Sequence, residues 1–237
     1  IELGIALSAE HDHDRLMEMI LLAAKEMTNA DGGTLYLMTE ENTLRFQTVR
    51  TDSLKIAMGG TTGVEIPFPD LRLYDVETNA PNERNVATCA ALSGESINVR
   101  DAYESTRFDF SGTKKFDEGT GYRSKSFLTV PLKNHDDVVI GVLQLLNAQD
   151  PETGEVFSFG EDVQPLVEAL ASQAAVSLNN QMLLQAQKDL LDAFIELIAG
   201  AIDAKSPYTG GHCQRVPELT KMLAKAACDS QDPRFKD

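Results

Sequence analysis

Two neighbouring segments that are apolar at almost every position constrain the fold of this chain most strongly. They cover residues 127–132 and 138–146, and a turn-forming stretch at 134–137 lies between them. Each segment has the length of a strand. A strand that is apolar on both faces has to be buried on both faces, so helices must cover at least one face of the sheet.

The rest of the chain supplies helices and further strands at spacings that suit an α+β sandwich, an antiparallel sheet with helices packed on it. Asn85 and Gly94 are suited to cap and end a short helix, and Ser158 with Glu161 has capping-box spacing for a long one. The predicted elements are a helix at 8–28, strands at 34–38 and 44–49, a helix at 86–93, strands at 97–99, 127–132 and 138–146, a long helix to about Ala204, and a helix at 215–227.

The long predicted helix carries two successive apolar faces. The first is expected to face the core of the sheet domain and comprises Val163, Leu166, Leu170, Ala174 and Leu178. The second runs beyond that core as Leu184, Leu191, Phe194 and Ile198. A stripe that continues past its own domain is typical of a helix–helix interface, so we expect a parallel homodimer through these helices.

A polar segment of more than 20 residues, from Asp101 to Tyr122, is predicted to be a loop, and loops of this length are usually functional or mobile. We expect a ligand pocket between it and the strand at 127–132. Its three phenylalanines would either contact a ligand or fold the segment onto the core, and its polar residues would either contact a ligand or anchor the loop. The candidate ligand-binding residues are Phe108, Phe110, Phe116, Asp117, Thr120 and Tyr122.

Composition limits the partners and the chemistry of the chain. The net charge of −16 repels phosphate backbones, so we expect no nucleic acid partner. No apolar run has the length of a membrane span, and three scattered cysteines fit a reducing cytoplasm. His11 and His13 stand among acidic residues; a metal site is conceivable, but we interpret them as exposed histidines at a capped helix start.

Four motifs in register resemble the GAF domain family over roughly residues 7–180. The most specific is FDEGTGYRSKS at 116–126, which leads into a strand containing Pro131 and Leu132. The others are ADGGTLYL at 30–37, GVLQLLN at 141–147 and ALASQAAV at 169–176. The resemblance implies a small-molecule pocket between the sheet and its covering loops.

Members of that family that bind cyclic nucleotides share a pattern of Asn-Lys, a later Phe and then Asp-Glu. This chain has Asn147 followed by Ala148, and Phe157 followed by Glu161 and Asp162 in reversed order. Because the lysine that would pair with the acidic residue is missing, we expect cyclic AMP and cyclic GMP to bind weakly or not at all. Cys89 is interpreted as a core thiol rather than a bilin attachment site.

A second resemblance lies at residues 201–216, AIDAKSPYTGGHCQRV, which look like the opening of an HD-GYP phosphohydrolase domain. In that family the matching histidine, here His212, is the first ligand of an iron or manganese cluster that hydrolyses cyclic di-GMP. A metal cluster needs about three or four protein ligands. We therefore expect no catalytic residue and no cofactor within these 237 residues, and a divalent metal only in a longer parent protein.

These observations predict a sensory domain at residues 1–180, a signalling helix at 181–204 and the first helices of an all-α HD domain at 205–237. The predicted function is a small-molecule-binding regulatory region of a bacterial cyclic di-GMP phosphodiesterase, cut from a longer cytoplasmic protein. The alternative is a ligand-free dimerisation and scaffolding module.

Overall fold

One antiparallel sheet organises the first part of the chain, in a computed structural model that describes residues 2–205 and 212–230. The strands are β1 (Ala30–Met38), β2 (Thr43–Thr51), β3 (Ile56–Gly59), β4 (Leu71–Arg72), β5 (Ile97–Val99), β6 (Phe127–Lys133), β7 (Val139–Gln149) and β8 (Val156–Phe157). The helices are α1 (Glu2–Ala9), α2 (His13–Thr28), α3 (Val86–Ser93), α4 (Ser111–Thr120), α5 (Gln164–Lys205) and α6 (His212–Asp229).

The strands lie in the order β3-β2-β1-β7-β6-β5, with the short β4 beside β2 and β8 beside β7. All neighbours are antiparallel, so the two apolar segments of the sequence, β6 and β7, form the centre of the sheet together with β1. The predicted antiparallel α+β architecture and the long C-terminal helix are confirmed.

Local signals set the ends of α2. The Asp12 side chain accepts a hydrogen bond from the backbone N–H of Arg15 at 2.8 Å, and Asn29 ends the helix with a left-handed φ of 48°. The prediction of one helix over residues 8–28 was wrong, because Asp12 caps a new helix after α1 has ended at Ala9. The predicted capping is confirmed, and both His11 and His13 are exposed.

One face of the sheet packs against α2 and α5 in the largest apolar cluster of the domain. Strand residues such as Leu35, Leu128 and Leu143, all 0% exposed, meet helix residues such as Ile20 and Ala174 there. We call this the helix face. Close packing leaves no room for a side chain at Gly33, where an added Cβ would lie 2.7 Å from Leu21 Cδ1.

The helix faces that pack on the sheet differ in detail from the predicted ones. On α5, Leu166 is exposed, whereas Val167 and Ala171, which the sequence analysis did not assign to the core, are buried. Helix α5 also begins at Gln164, so the predicted capping box at residues 158–161 does not cap it. The direction of a helix face depends on its exact start and on the neighbouring surface, which spacing alone does not define.

The predicted loop from Asp101 to Tyr122 contains a helix, α4, which corrects the sequence interpretation. Two glycines and mostly polar residues give this stretch a weak helix propensity, which led to the loop prediction. Asp117 is the one buried side chain of α4, and Gly121 ends it with a left-handed φ of 70°. Tertiary contacts of Asp117 therefore do more to specify α4 than propensity does.

The chain consists of two compact units, which divide between Gln181 and Met182. In the second unit the remaining part of α5 exposes ten large apolar side chains, each 42–71% exposed: Met182, Leu183, Leu184, Leu190, Leu191, Phe194, Ile195, Leu197, Ile198 and Ile202. Helix α6 exposes Val216, Leu219, Met222 and Leu223. Among the described residues, no helix combines the length and apolar character that crossing a bilayer requires.

Candidate ligand-binding site

The sheet face opposite α2 and α5 carries polar side chains at its centre. Gln144 of β7 lies directly between Thr34 of β1 and Thr129 of β6 in the strand register. Side chains alternate between the two faces of a strand. Because the neighbours of these residues in sequence, including Leu143 and Leu128, point to the helix face, all three polar residues point the other way.

Hydrogen bonds connect this centre. Tyr36 Oη donates to Gln144 Oε1 at 3.3 Å, and Gln144 Nε2 donates to Thr129 Oγ1 at 3.1 Å. Burial raises the pKa of the Tyr36 hydroxyl well above its ordinary value, so it stays protonated. We call Thr34, Tyr36, Thr129 and Gln144 the polar row. It contains no charged group, and Thr34 and Gln144 are only half-buried.

Apolar residues border the polar row on two sides and connect it to α3. One cluster joins Phe127 and Val99 to Cys89 of α3, and the other joins Val142 and Tyr36 to Ala87 and Ala91. Cys89 is 6% exposed, as expected for a core thiol, and its Sγ lies 3.9 Å from Arg107 Nη2. The face thus combines a hydrogen-bonding floor with apolar walls, the composition typical of small-molecule sites.

Residues 101–126, which we call the lid segment, join this face at two aromatic side chains. Phe108 and Phe110 are each 6% exposed, and their ring centroids lie 6.4 Å apart. Phe110 also packs on Phe127 of β6, with centroids 5.2 Å apart. In this structure Phe108 and Phe110 therefore fold the segment onto the core, which is one of the two roles the sequence left open.

Asp117 anchors the middle of the lid segment. Its buried carboxylate accepts hydrogen bonds from the Ser124 N–H at 2.7 Å, from Ser124 Oγ at 2.8 Å and from Tyr103 Oη at 2.7 Å. The hydrogen bond to Asp117 is the main cause that raises the pKa of Tyr103. Three bonds to one buried carboxylate hold α4 to the residues on both sides of it.

Tyr122 anchors the end of the lid segment to the sheet. Its hydroxyl donates to Asp31 Oδ2 at 2.5 Å and accepts from Asn147 Nδ2 at 2.8 Å. Burial, and then the Asp31 carboxylate, raise the pKa of Tyr122. Asn147 is 1% exposed, and its Oδ1 accepts from the N–H groups of Lys125 and Ser126 at 2.7 and 3.2 Å.

The six predicted ligand-binding residues thus fall into three groups. Phe108 and Phe110 lie together in the aromatic cluster, and Asp117 and Tyr122 form separate polar anchors. Phe116 and Thr120 lie on exposed positions of α4, where Thr120 Oγ1 donates to the Phe116 carbonyl at 2.9 Å. Contact of any of these with a ligand stays a prediction.

Sequence analysis missed the polar row as a site. Its signal was present in the sequence, since each strand has a polar residue flanked by apolar ones: Thr34 before Leu35, Thr129 after Leu128, and Gln144 between Leu143 and Leu145. What the sequence could not provide was the register that aligns the three positions across β1, β7 and β6.

Two open grooves border the sheet elsewhere. One of about 430 Å³ runs along the free edge of β5 and is lined by residues 93, 95–101, 104, 105, 107 and 108. It shares the start of the lid segment with the predicted pocket, but no residue of β6 lines it. The other, of about 360 Å³, lies between β2 and the Gly59–Gly60 turn. A cavity against β6 therefore stays a prediction.

The residues of the cyclic-nucleotide pattern are dispersed. Asn147 is the buried hydrogen-bonding residue described above, whereas Phe157 is 45% exposed. Glu161 is exposed, and its carboxylate lies 4.0 Å from Arg100 Nη2. In the described part of the chain, no group of three or more His, Cys, Asp or Glu residues is placed to hold a metal ion. Helix α6 begins at His212, whose side chain lies outside the described residues.

An antiparallel sheet with long helices on one face and a polar row on the other defines a class of small α+β domains. Within that class, the model of the GAF domain family matches residues 12–178. This match covers well over half of the chain, and the chain belongs to the GAF domain family.

Comparisons with individual proteins agree with this assignment. The chain is 27% identical over 201 residues to the dual 3',5'-cyclic-AMP and -GMP phosphodiesterase 11A of Takifugu rubripes, covering 84% of this chain and 20% of that protein. It is 28% identical over 153 residues to the cGMP-specific 3',5'-cyclic phosphodiesterase of Drosophila sechellia, covering 62% of this chain and 11% of that protein. The chain thus spans a fifth or less of the length of these relatives.

Among solved structures, the GAF domain of a phosphoenolpyruvate-protein phosphotransferase from Coxiella burnetii matches with a TM-score of 0.56. The match has 14% sequence identity and covers 78% of this chain and 93% of that one. At this identity the likeness describes the fold alone.

Proposed function

We propose that this chain is the small-molecule-binding regulatory region of a bacterial signalling phosphodiesterase, and that its ligand lies over the polar row beneath the lid segment. The single observation that carries the ligand proposal is the alignment of Thr34, Gln144 and Thr129 across three strands. Thr34 and Gln144 of this floor are half-buried, so their hydroxyl and amide groups can hydrogen-bond to a molecule that lies over them.

The polar row also suggests the ligand's chemistry. Hydroxyl and amide groups can donate and accept, and the row has no cation to pair with a phosphate or carboxylate. We therefore propose a ligand that presents an uncharged hydrogen-bonding group to the floor and apolar surface to Phe127 and Leu146. Ala148 stands where the cyclic-nucleotide-binding members of the family have a lysine, so cyclic AMP and cyclic GMP should bind weakly or not at all. Sub-micromolar binding of either nucleotide by calorimetry would contradict this.

The output of the domain is proposed to travel along α5 to a catalytic domain in a longer cytoplasmic protein. The resemblance of residues 201–216 to HD-GYP domains and the similarity to two phosphodiesterases support this. The catalytic domain would hydrolyse cyclic di-GMP at an iron or manganese cluster, with His212 as one ligand. These 237 residues alone should not hydrolyse cyclic di-GMP or a generic phosphodiester, even with added manganese or iron. Hydrolysis that His212→Ala abolishes would show that this proposal puts the active site in the wrong part of the protein.

The signal would require a parallel homodimer through the far part of α5. At 3.6 residues per turn, the exposed apolar side chains beyond Met182 cover an arc of about 160° of the helix surface. Exposing such a face to water is unfavourable, and burying one large apolar side chain contributes about 1.5–3 kcal/mol of free energy. Parallel pairing would bring both catalytic domains to the same end.

Sedimentation tests the dimer directly. The chain should sediment near twice 25.9 kDa, and Leu191→Glu combined with Phe194→Glu should shift it toward monomer. Asp189→Lys with Glu196→Lys, on the polar side of the same helix, serves as the matched control. A monomer at tens of micromolar, or a dimer indifferent to the two apolar-to-charge changes, would contradict the α5 seam.

A ligand-free dimerisation and scaffolding module is the second candidate. The packing of Phe108 and Phe110 into the core favours it, as does Ala148. This candidate predicts the same dimer but no small molecule bound to the protein.

A further inference from the structure

Residues 156–159, which we call the connector, link the sheet to the start of α5. Only two of its residues pair with the sheet: Val156 lies opposite Gln149, and Phe157 opposite Ala148. Helix α5 begins five residues after the connector, at Gln164. Two residue pairs are a weak attachment for a segment that sets the start of a 42-residue helix.

Three side chains from other elements hold the connector by its backbone carbonyls. Ser126 Oγ donates to the Phe157 carbonyl at 2.7 Å, and Lys125 Nζ donates to the Val156 carbonyl at 3.3 Å. From β5, Asn98 Nδ2 donates to the Phe159 carbonyl at 3.1 Å. Phe159 of the connector is also buried, at 4% exposed, in the apolar cluster of the helix face. The position of the connector therefore depends on side chains more than on a strand ladder.

Two of these three residues are the last residues of the lid segment. Their N–H groups are fixed by Asn147 Oδ1, and Asn147 Nδ2 also bonds to the Arg123 carbonyl and to Tyr122 Oη, each at 2.8 Å. Ser126 is 0% exposed, and its Oγ accepts in addition from the Ala148 N–H at 3.3 Å. The end of the lid segment thus meets the connector at the buried Ser126 hydroxyl, with the longer Lys125 bond beside it.

We infer that Ser126 is a positioning residue that couples the lid segment to the start of α5, so that loosening of one loosens the other. The inference rests on the proposed function only in that ligand binding would be what moves the lid segment. Coupling between two sites is reciprocal, so the route carries a disturbance equally well from either end. Asn98 holds the same connector from β5 and lies outside this route, which provides an internal control.

Hydrogen exchange on the whole chain, without any ligand, tests the inference. Tyr122→Phe removes the hydroxyl that joins the lid segment to Asp31 and Asn147. It should speed exchange about fivefold across residues 111–126 and also across residues 156–166. With Ser126→Ala already present, Tyr122→Phe should still loosen the lid segment but should add nothing at residues 158–166. At residues 156–157 only the smaller response carried by the Lys125 bond to Val156 should remain.

The control pair uses Asn98→Ala in place of Ser126→Ala. Hydrogen exchange at the connector should be faster from the start, yet Tyr122→Phe should still increase it further, because Ser126 is intact.

If Ser126→Ala does not fold, Lys125→Met provides a second test. It removes only the bond to Val156 and should reduce the effect of Tyr122→Phe on exchange at residues 156–157. Exchange confined to the lid segment in Tyr122→Phe, or an undiminished connector response with Ser126→Ala, would overturn the coupling. Since no ligand is used, failure here is distinct from failure of the proposed ligand site.

Discussion

The same strands present two different surfaces, one apolar and packed against helices, the other with polar side chains at its centre. On the helix face, leucines and alanines of β1, β6, β7, α2 and α5 are almost completely buried and have no polar atoms to satisfy. On the other face, the polar row divides two smaller apolar clusters, and the lid segment is held by buried polar anchors. The comparison indicates that the helix face supplies most of the stability, while the lid face retains hydrogen-bonding side chains at its centre.

Two leucines of β7 give the sharpest test of this comparison. Leu143 is 0% exposed on the helix face, whereas Leu146 is half-buried on the lid face. Leu143→Ala should lower the free energy of unfolding by about 3 kcal/mol, through lost burial and a residual cavity. Leu146→Ala should cost about 1 kcal/mol, since part of its side chain already meets solvent. Equal losses in urea unfolding would remove the distinction between the faces.

Asp117→Ala should produce the next largest effect and confine it to the lid face. The substitution leaves the N–H and hydroxyl of Ser124 without their buried acceptor, which should cost about 2 kcal/mol. Hydrogen exchange should rise across α4 and leave α2 protected. A rise that extends evenly into α2 would show that the lid segment is part of the main core.

On the helix face, Glu18 makes stability depend on pH. Its carboxylate accepts from Arg50 Nη2 at 2.5 Å and also from Thr61. Burial alone would raise the pKa of Glu18, but these hydrogen bonds outweigh it, so the pKa lies below the ordinary value of 4.5. The contribution of the pair is therefore fully present above pH 4.5 and is lost as pH falls through the folded-state pKa.

Glu18→Gln should thus cost about 1 kcal/mol at neutral pH, and the difference from the parent chain should shrink as the pH falls below about 4. Urea unfolding of Glu18→Gln and of the parent chain, at neutral pH and at a pH below about 4, measures this difference in the free energy of unfolding. A difference that stays constant with pH would mean that Glu18 acts through packing rather than through charge.

Thr120→Val should have the smallest effect. Thr120 is exposed on α4 and bonds only to a carbonyl of its own helix, so the change should stay within about 0.5 kcal/mol. It also separates the two roles left open for this residue. Wild-type stability together with lost ligand binding would assign Thr120 to the ligand, and unchanged binding would remove it from the site.

How far the sequence predicts this molecule also differs between the faces. Apolar patterning was sufficient for the strands of the centre and for the length of α5, because the core of the helix face is built mainly from buried apolar side chains. The caps Asn85 and Gly94 were sufficient for α3. Apolar patterning failed for α4, whose position depends on the contacts of Asp117 with Tyr103 and Ser124. It also failed for the polar row. Tyr36 and Gln144, for example, are 108 residues apart in sequence and come together only through strand register.

Native mass spectrometry of the protein purified from cells tests the central claim, that the lid face binds a small molecule over the polar row. The parent chain should carry an added small-molecule mass. Gln144→Leu, which removes the central amide of the row, should lose that mass, whereas Gln149→Leu, the same change in the same strand outside the row, should retain it. A parent chain that shows only the polypeptide mass of 25.9 kDa, or a Gln144→Leu variant that keeps the same ligand, would contradict the account.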